Sequence, residues 1–382
     1  MPFADTIRAI HATPQAGVFW ITGGGSLLLS SLMTEPGASG TVLEATIPYS
    51  NKALAEGLGY SPTSSASALV ARQMAVTAYH RAQTLMTNSV EAPFGLGICC
   101  ALATTRARAG SDRAFIAIHA QHESRLLTIR FPRDSETTPS AAGHERRQRQ
   151  ENDLLAMAID LLCQHLDIAP PHFELRSDCQ VEAQRAPSKT SWQSVMGPTT
   201  AASEPGLAAP VLFPGAFNPV HSGHLQMKTI AEQLLNLPLH FELSVHNVDK
   251  AGLDYFDLAE RVPALSQHGN VILTNAPTFL EKAALFPDAT FVVGIDTLIR
   301  IEQPDYYGSA SLRDEAIAQL LSRRPNFLVF GRLHEGKYRN LADITISADL
   351  RARCTMVDEA LFRADISSTE LRAKREQIEP SK

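Results

Sequence analysis

Apolar and polar positions along this chain follow two rhythms, one in each half, and those rhythms predict most of its elements. In the first half, Val18–Ile21 (VFWI) predicts a short strand, Gly23–Ser26 a turn, and LLLSSLM (27–33) the start of a helix. TVLEATIP (41–48) predicts the next strand. From Ser67 to Thr87 apolar residues recur at helical spacing, and FGLGICCALA, RAFIAIHA and SRLLTIRF are three β-rich runs at hairpin-like intervals. Glu145–Leu166 reads as a long amphipathic helix. Consecutive strands mixed with long helices predict an α/β layer with a partly antiparallel sheet.

The second half alternates regularly. VLFP, LHFELSV, VILT, FVVG and NFLVF predict strands, separated by helices from His221, around Leu258–Leu265, around Leu280, around Glu315–Leu321, and finally from Ser368. Strands separated by helices require right-handed parallel crossovers, so the expected product is a doubly wound, Rossmann-like parallel sheet with ligands at the carboxyl ends of its strands. Between the halves, APSKTSWQSVMGPTTAASEPGLAAP has no apolar periodicity. The expected organisation is therefore a domain over 1–175, a linker over 176–209 and a second domain over 210–382. Trp192, inside the expected linker, is either a docking point on a neighbouring domain or an exposed side chain.

Composition narrows the function classes. The 382 residues are 44% apolar, enough for sizeable cores, and 34 Lys and Arg against 40 Asp and Glu give a formal charge of -6. No electrostatic footprint for a nucleic-acid backbone follows from that balance, whereas a small anionic substrate gripped locally fits it. Cys99, Cys100, Cys163, Cys179 and Cys354 form neither a metal-binding spacing nor a disulfide framework, which suggests a reducing, cytoplasmic setting and no metal held by the protein. Residues 1–15 lack the apolar core of a secretory signal. Gly17–Thr34 has the length of a membrane span but is interrupted by Gly23, Gly24 and Gly25, so no membrane association is expected.

The chemistry concentrates in Gly215-Ala216-Phe217-Asn218-Pro219-Val220-His221-Ser222-Gly223-His224, directly after the first strand of the second half. Three residues apart at a helix start, His221 and His224 project both imidazoles from one face, near the positive end of the helix dipole. Gly215 permits a tight turn and Gly223 a close approach to the backbone, so the segment is an anion cradle suited to a polyphosphate. Near the other end of the chain, Ser367 and Glu370 in ISSTELR (366–372) form a capping-box pattern, which would open a helix with free N–H groups; Arg372 sits one turn in, where its guanidinium can grip phosphate.

Together these two segments resemble the HxGH nucleotidyltransferase superfamily. The resemblance, over about 210–377, implies that His221 and His224 stabilise the α-phosphate in flight while Ser367, Ser368, Thr369 and Arg372 bind the triphosphate. Asn218-Pro219 and ISSTELR look like nicotinamide or nicotinate mononucleotide adenylyltransferases. That likeness implies a reaction in which AMP passes from ATP, bound with Mg²⁺, to a small phosphorylated acceptor with release of pyrophosphate. SVHNVDK (244–250) resembles the acceptor-side segment of those enzymes, which puts Asn247 and Lys250 on the acceptor. Gly294-Ile295-Asp296 resembles the family's G-x-D element, and Arg332 follows the fifth strand where the family holds ATP. Gly215, Ala216, Phe217, Asn218 and Gly223 complete the nucleotide-binding set. No tryptophan follows Trp192, so a stacked pyridine would use Tyr255, Phe256, Tyr306 or Tyr307, and the insert Glu302–Asp314 is either an acceptor lid or a surface elaboration. Two alternatives stay open: a cytidylyltransferase or an adenylyltransferase for another phosphomonoester, and a non-catalytic pyridine-nucleotide sensor.

The first half, over about Gly17–Asp167, resembles the CinA-like nicotinamide-nucleotide amidase domain through Thr22-Gly23-Gly24-Gly25-Ser26, PGAS (36–39) and IPYSN (47–51). Its motifs are degenerate. Trp20 stands where that family places its nucleophilic serine, and Leu54, with Lys52 offset, where it places a lysine, so the resemblance implies an inactive amidase fold. Ser26 is either a substitute nucleophile or simply the residue opening a helix. The TGGGS loop lacks the Lys-Ser/Thr pair of a Walker loop, and either cradles a phosphate through backbone N–H groups or mediates a homo-oligomer contact.

Overall fold

The computed structural model describes residues 3–86, 92–104, 110–132, 141–246, 252–334 and 337–362. The chain divides into two compact units, Met1–Gln193 with Asp249–Phe256, and Ser194–Val248 with Asp257–Lys382. The fold is α/β in both, with a mixed sheet in the first and an all-parallel sheet in the second.

The first unit runs α1 (Ala4–His11), β1 (Ala16–Thr22), α2 (Ser26–Thr34), β2 (Val42–Thr46), α3 (Asn51–Leu58), α4 (Ala68–Leu85), β3 (Pro93–Ala101), β4 (Arg113–Ala120), β5 (Glu123–Arg130), α5 (Ala141–Leu166), β6 (Gln180–Pro187) and α6 (Thr190–Gln193). Its sheet has the order β2-β1-β3-β4-β5-β6, parallel at β2-β1-β3 and antiparallel from β3 onward. Alternate strand residues face two cores. Phe19, Ile21, Phe94 and Ile98 pack with α1, α2 and α5, while Val18 and Trp20 pack with α3 and α4.

The stretch expected to be a linker departs from that reading, because β6 lies inside it and pairs with β5 along its whole length, from Glu123–Pro187 to Arg130–Gln180. Its side chains are almost all exposed, so it carries no apolar alternation; main-chain hydrogen bonds to β5 make it a strand. Trp192 is buried in this unit, stacked at 6.3 Å on Tyr255. Tyr255 in turn donates its hydroxyl to the Gln121 carbonyl at 2.5 Å, and Asp254 takes both arms of the Arg72 guanidinium at 2.5 Å each.

The second unit contains β7 (Val211–Pro214), α7 (Ser222–Leu235), β8 (Leu239–Ser244), most of α8 (Tyr255–Ser266), β9 (Asn270–Thr274), α9 (Phe279–Leu285), β10 (Thr290–Gly294), α10 (Ile295–Ile301), α11 (Ala310–Ser322), β11 (Asn326–Phe330), the short antiparallel pair β12 (Arg332–His334) and β13 (Lys337–Arg339), α12 (Ala348–Arg351) and β14 (Cys354–Met356). The sheet order is β14-β11-β10-β7-β8-β9, every pair parallel. From β7 the chain winds outward through β8 to β9, then crosses back to β10 and winds the other way. That reversal leaves a crevice at the carboxyl ends of β7 and β10, where open α/β sheets take their ligands. No helix among the described residues is long and apolar enough to cross a membrane.

Candidate active site

β7 ends at Pro214, and the chain turns over the crevice through Gly215–Val220. A Cβ on Gly215 would lie 2.7 Å from the Phe217 ring, so only glycine lets that ring fold back over the turn. Phe217 is buried, with φ of 44°, and its ring packs edge-on against Phe213, Phe241 and His224. The aromatic wedge anchors an otherwise half-buried loop and fixes where α7 begins.

His221 is the N-cap of α7 and His224 its third residue. Their rings lie on one face of the helix start, as the spacing predicts, and stack 3.7 Å apart, 24° from parallel. The His221 backbone N–H donates to His224 Nδ1 at 3.3 Å, which makes Nδ1 the acceptor and leaves the proton on Nε2. Burial, reinforced by neighbouring His221, pushes the His224 pKa down to about 3, and burial also lowers that of His221. At neutral pH the pair therefore presents two uncharged imidazoles, which donate hydrogen bonds without carrying cations. The positive end of α7 disfavours the imidazolium in the same direction.

At the end of the neighbouring strand, Gly294 caps α10 with φ of -79° and nothing within 4 Å of where a Cβ would stand. Neither backbone conformation nor packing calls for glycine here, and the space above it is open to a ligand. Asp296, in the first turn of α10, accepts a 2.6 Å hydrogen bond from Arg332, which follows β11. The structure thus joins two residues that the sequence reading placed separately on the nucleotide. Ala216 is exposed, Asn218 follows Phe217 through a turn with a cis bond to Pro219, and Gly223 is buried in α7. Asn247, Lys250, Ser367, Ser368, Thr369 and Arg372 lie outside the described residues.

Of the four aromatics proposed to stack a pyridine, Tyr255 is wholly buried in the first unit, where Phe256 also packs, under the Arg72 guanidinium. Burial removes Tyr255 from that role. The hydroxyl of Tyr307 is tied to the Ile301 carbonyl at 3.0 Å, while Tyr306 stays exposed. The insert 302–314 is bonded into its own unit, since Glu302 accepts from Ser347 and Arg313 donates to the Glu302 carbonyl.

Sequence reasoning missed two features of this unit. Arg261 on α8 reaches the signature loop and donates to the Ala216 carbonyl at 3.3 Å. Below the ends of β8 and β9, buried Lys282 donates to Glu242 at 2.8 Å and to the Ala276 carbonyl at 2.6 Å, and Thr274 donates to the same Glu242 oxygen. An Asp257–Arg261 pair four apart on a helix was the sequence signal for the first; a lone Glu in an apolar strand was the signal for the second. Among the described residues, no group of three or more His, Cys, Asp and Glu is placed to hold a metal.

In the first unit, Trp20 is buried among Leu54, Leu58 and Phe115, with its indole against Gly57. Ser26 is exposed in the first turn of α2, Leu54 is buried, and exposed Lys52 faces Glu56 at 3.8 Å. The TGGGS loop is occupied by the chain itself. Gly25 donates its N–H to the Glu151 carboxylate at 2.8 Å, and Arg147 donates to the Gly23 carbonyl at 2.9 Å. Beside it remains an open pocket of about 250 Å³ bordered by Thr22, Asn51, Leu54, Cys100 and Arg147.

Comparison with known proteins matches residues 212–374 to the cytidylyltransferase-like family model, so the second unit carries a cytidylyltransferase-like domain, which supports nucleotidyl transfer. No curated protein matches the chain. Among solved structures, the competence/damage inducible protein CihA from Agrobacterium tumefaciens is similar at 20% identity and a TM-score of 0.33, over 43% of this chain and 95% of that one.

Proposed function

We propose that the chain is a nucleotidyltransferase that moves AMP from ATP to a pyridine mononucleotide, nicotinamide or nicotinate mononucleotide, and releases pyrophosphate. The observation that carries this reading is the stacked, neutral pair His221 and His224 at the start of α7, beside the switch point of a parallel sheet. An acceptor phosphate oxygen forms a bond to the α-phosphorus as the bond from that phosphorus to the β-bridging oxygen breaks. Pyrophosphate leaves with the electron pair, and no protein nucleophile intervenes. Charge builds on the equatorial oxygens of the α-phosphate, and two preorganised imidazole N–H groups stabilise it there without reorganising. Neutral donors suit this work, since they neither bind the ground-state triphosphate as cations would nor lose a proton to it.

Open space over Gly294 is suited to the nucleoside, and the Asp296–Arg332 pair presents a carboxylate and a guanidinium at the adjacent strand ends. Mg²⁺ bound to the triphosphate as part of the substrate would supply charge neutralisation on the leaving pyrophosphate. The assignment of a pyridine acceptor rests on the Asn218-Pro219 and SVHNVDK patterns. A cytosine nucleotide in place of ATP is the second reading, favoured by the matched family description. In the first unit we infer no amide hydrolysis, because an indole fills the position of the nucleophile and the glycine loop is bonded to Glu151 and Arg147.

Incubating the purified chain with Mg²⁺ and ATP or CTP against nicotinamide mononucleotide, nicotinate mononucleotide and phosphopantetheine, with pyrophosphate and product mass measured, tests the reading. A dinucleotide from one pyridine mononucleotide, lost in His224→Ala, is expected. Pyrophosphate release with phosphopantetheine alone would move the acceptor elsewhere, and none with any acceptor would end the transferase reading.

A further inference from the structure

Arg261 has no part in the pattern of histidines and glycines, yet its side chain is largely buried and its guanidinium meets the signature loop. Asp257, one turn earlier on α8, accepts from its Nη2 at 2.7 Å and orients the fork. Nη1 donates to the Ala216 carbonyl at 3.3 Å. The third nitrogen, Nε, is buried and has no hydrogen-bond partner among the described residues. A guanidinium aimed at a backbone carbonyl fixes the plane of that peptide, because the peptide is rigid and its N–H points opposite its C=O.

The peptide concerned joins Ala216 to Phe217, whose φ of 44° is an uncommon conformation for a bulky residue. Turning this peptide by half a rotation would carry Phe217 to an ordinary negative φ and release that strain. It would also turn the Ala216 carbonyl, whose partial negative charge repels phosphate, away from the guanidinium. We propose that Arg261 is a positioning residue for the nucleoside triphosphate, holding the Ala216–Phe217 peptide in the one orientation that withholds its carbonyl from an incoming anion. The proposal deepens the transferase reading above and rests on it. In this role the guanidinium acts through the loop and does not touch the phosphates.

Calorimetric titration of the full chain with MgATP needs no knowledge of the acceptor and reads the role directly. Arg261→Ala should weaken MgATP about 10- to 100-fold, the scale of one lost charge-assisted hydrogen bond, with little change in melting temperature. Free guanidinium at millimolar concentration should recover part of that affinity, and potassium at equal ionic strength should not. Arg261→Lys, which keeps a cationic donor of nearly the same reach for Ala216, should bind better than Arg261→Ala and keeps the test open should the alanine variant fail to fold. If all Arg261 variants bind MgATP as the wild type does, or if melting temperature falls in step with affinity and guanidinium restores neither, the positioning role is overturned. A wild type that binds neither ATP nor CTP would instead overturn the transferase reading on which it rests.

Discussion

The neutrality of His224 has a thermodynamic consequence that can be measured without any substrate. Its folded-state pKa of about 3 lies below the ordinary 6.5, so the unfolded chain takes up a proton before the folded one does. The sign follows: this imidazole contributes stability that is complete above pH 6.5 and is lost as pH falls toward 3. With those two values, the loss between pH 7.5 and pH 5 comes to about 2 kcal/mol from His224 alone, at 1.36 kcal/mol per unit of pKa difference expressed. His221, also lowered, adds in the same direction. Urea unfolding of wild type and His224→Asn at both pH values isolates the contribution, since asparagine cannot titrate. The wild type should lose about 2 kcal/mol more than the variant over this interval, and the His224 ring carbon in NMR should show no inflection between pH 8 and 5. Equal losses, or an inflection near 6.5, would refute the claim that this histidine works as an uncharged donor.

Gly294→Ala should leave stability within about 0.5 kcal/mol, because the new methyl group meets nothing and φ is ordinary; the KM for ATP should rise at least severalfold as the methyl occupies space reserved for the nucleotide. Gly23→Ala should destabilise the first unit by about 3 kcal/mol or more in urea, since its Cβ would stand 2.0 Å from the Cys100 carbonyl oxygen at a φ of 77°. Lys282→Met should cost about 3 to 5 kcal/mol by stranding buried Glu242, whereas Lys282→Met with Glu242→Leu should regain most of that loss. Equal unfolding free energies for the single and double variants would show that the charge pair is not what matters there.

Much of this architecture was legible in the chain because buried parallel strands leave short apolar runs between breakers, as VLFP, FVVG and NFLVF do. β6 was not legible, since an edge strand with exposed side chains has no period to detect, and β14 was too short at three residues. Histidines three apart at a helix start announced a shared face, and their stacking on it came only from the structure. The Asp296–Arg332 pair and the Arg261 contact could not be read the same way, because they join residues 36 and 45 positions apart whose approach depends on strand order. Tyr255 misled for a related reason: nothing local marks the tyrosine at the start of α8 as buried against Trp192 and His119 of the first unit.

The central claim is that bond breakage occurs at the α-phosphorus under the histidine pair. Phosphorus NMR of the wild type with Mg²⁺, ATP and nicotinamide or nicotinate mononucleotide observes that bond directly. The account predicts loss of all three ATP resonances together, with inorganic pyrophosphate and a new phosphodiester anhydride appearing in equal amounts, and no change in the spectrum with His224→Ala. Formation of ADP and orthophosphate, or an unchanged yield in the variant, would contradict it.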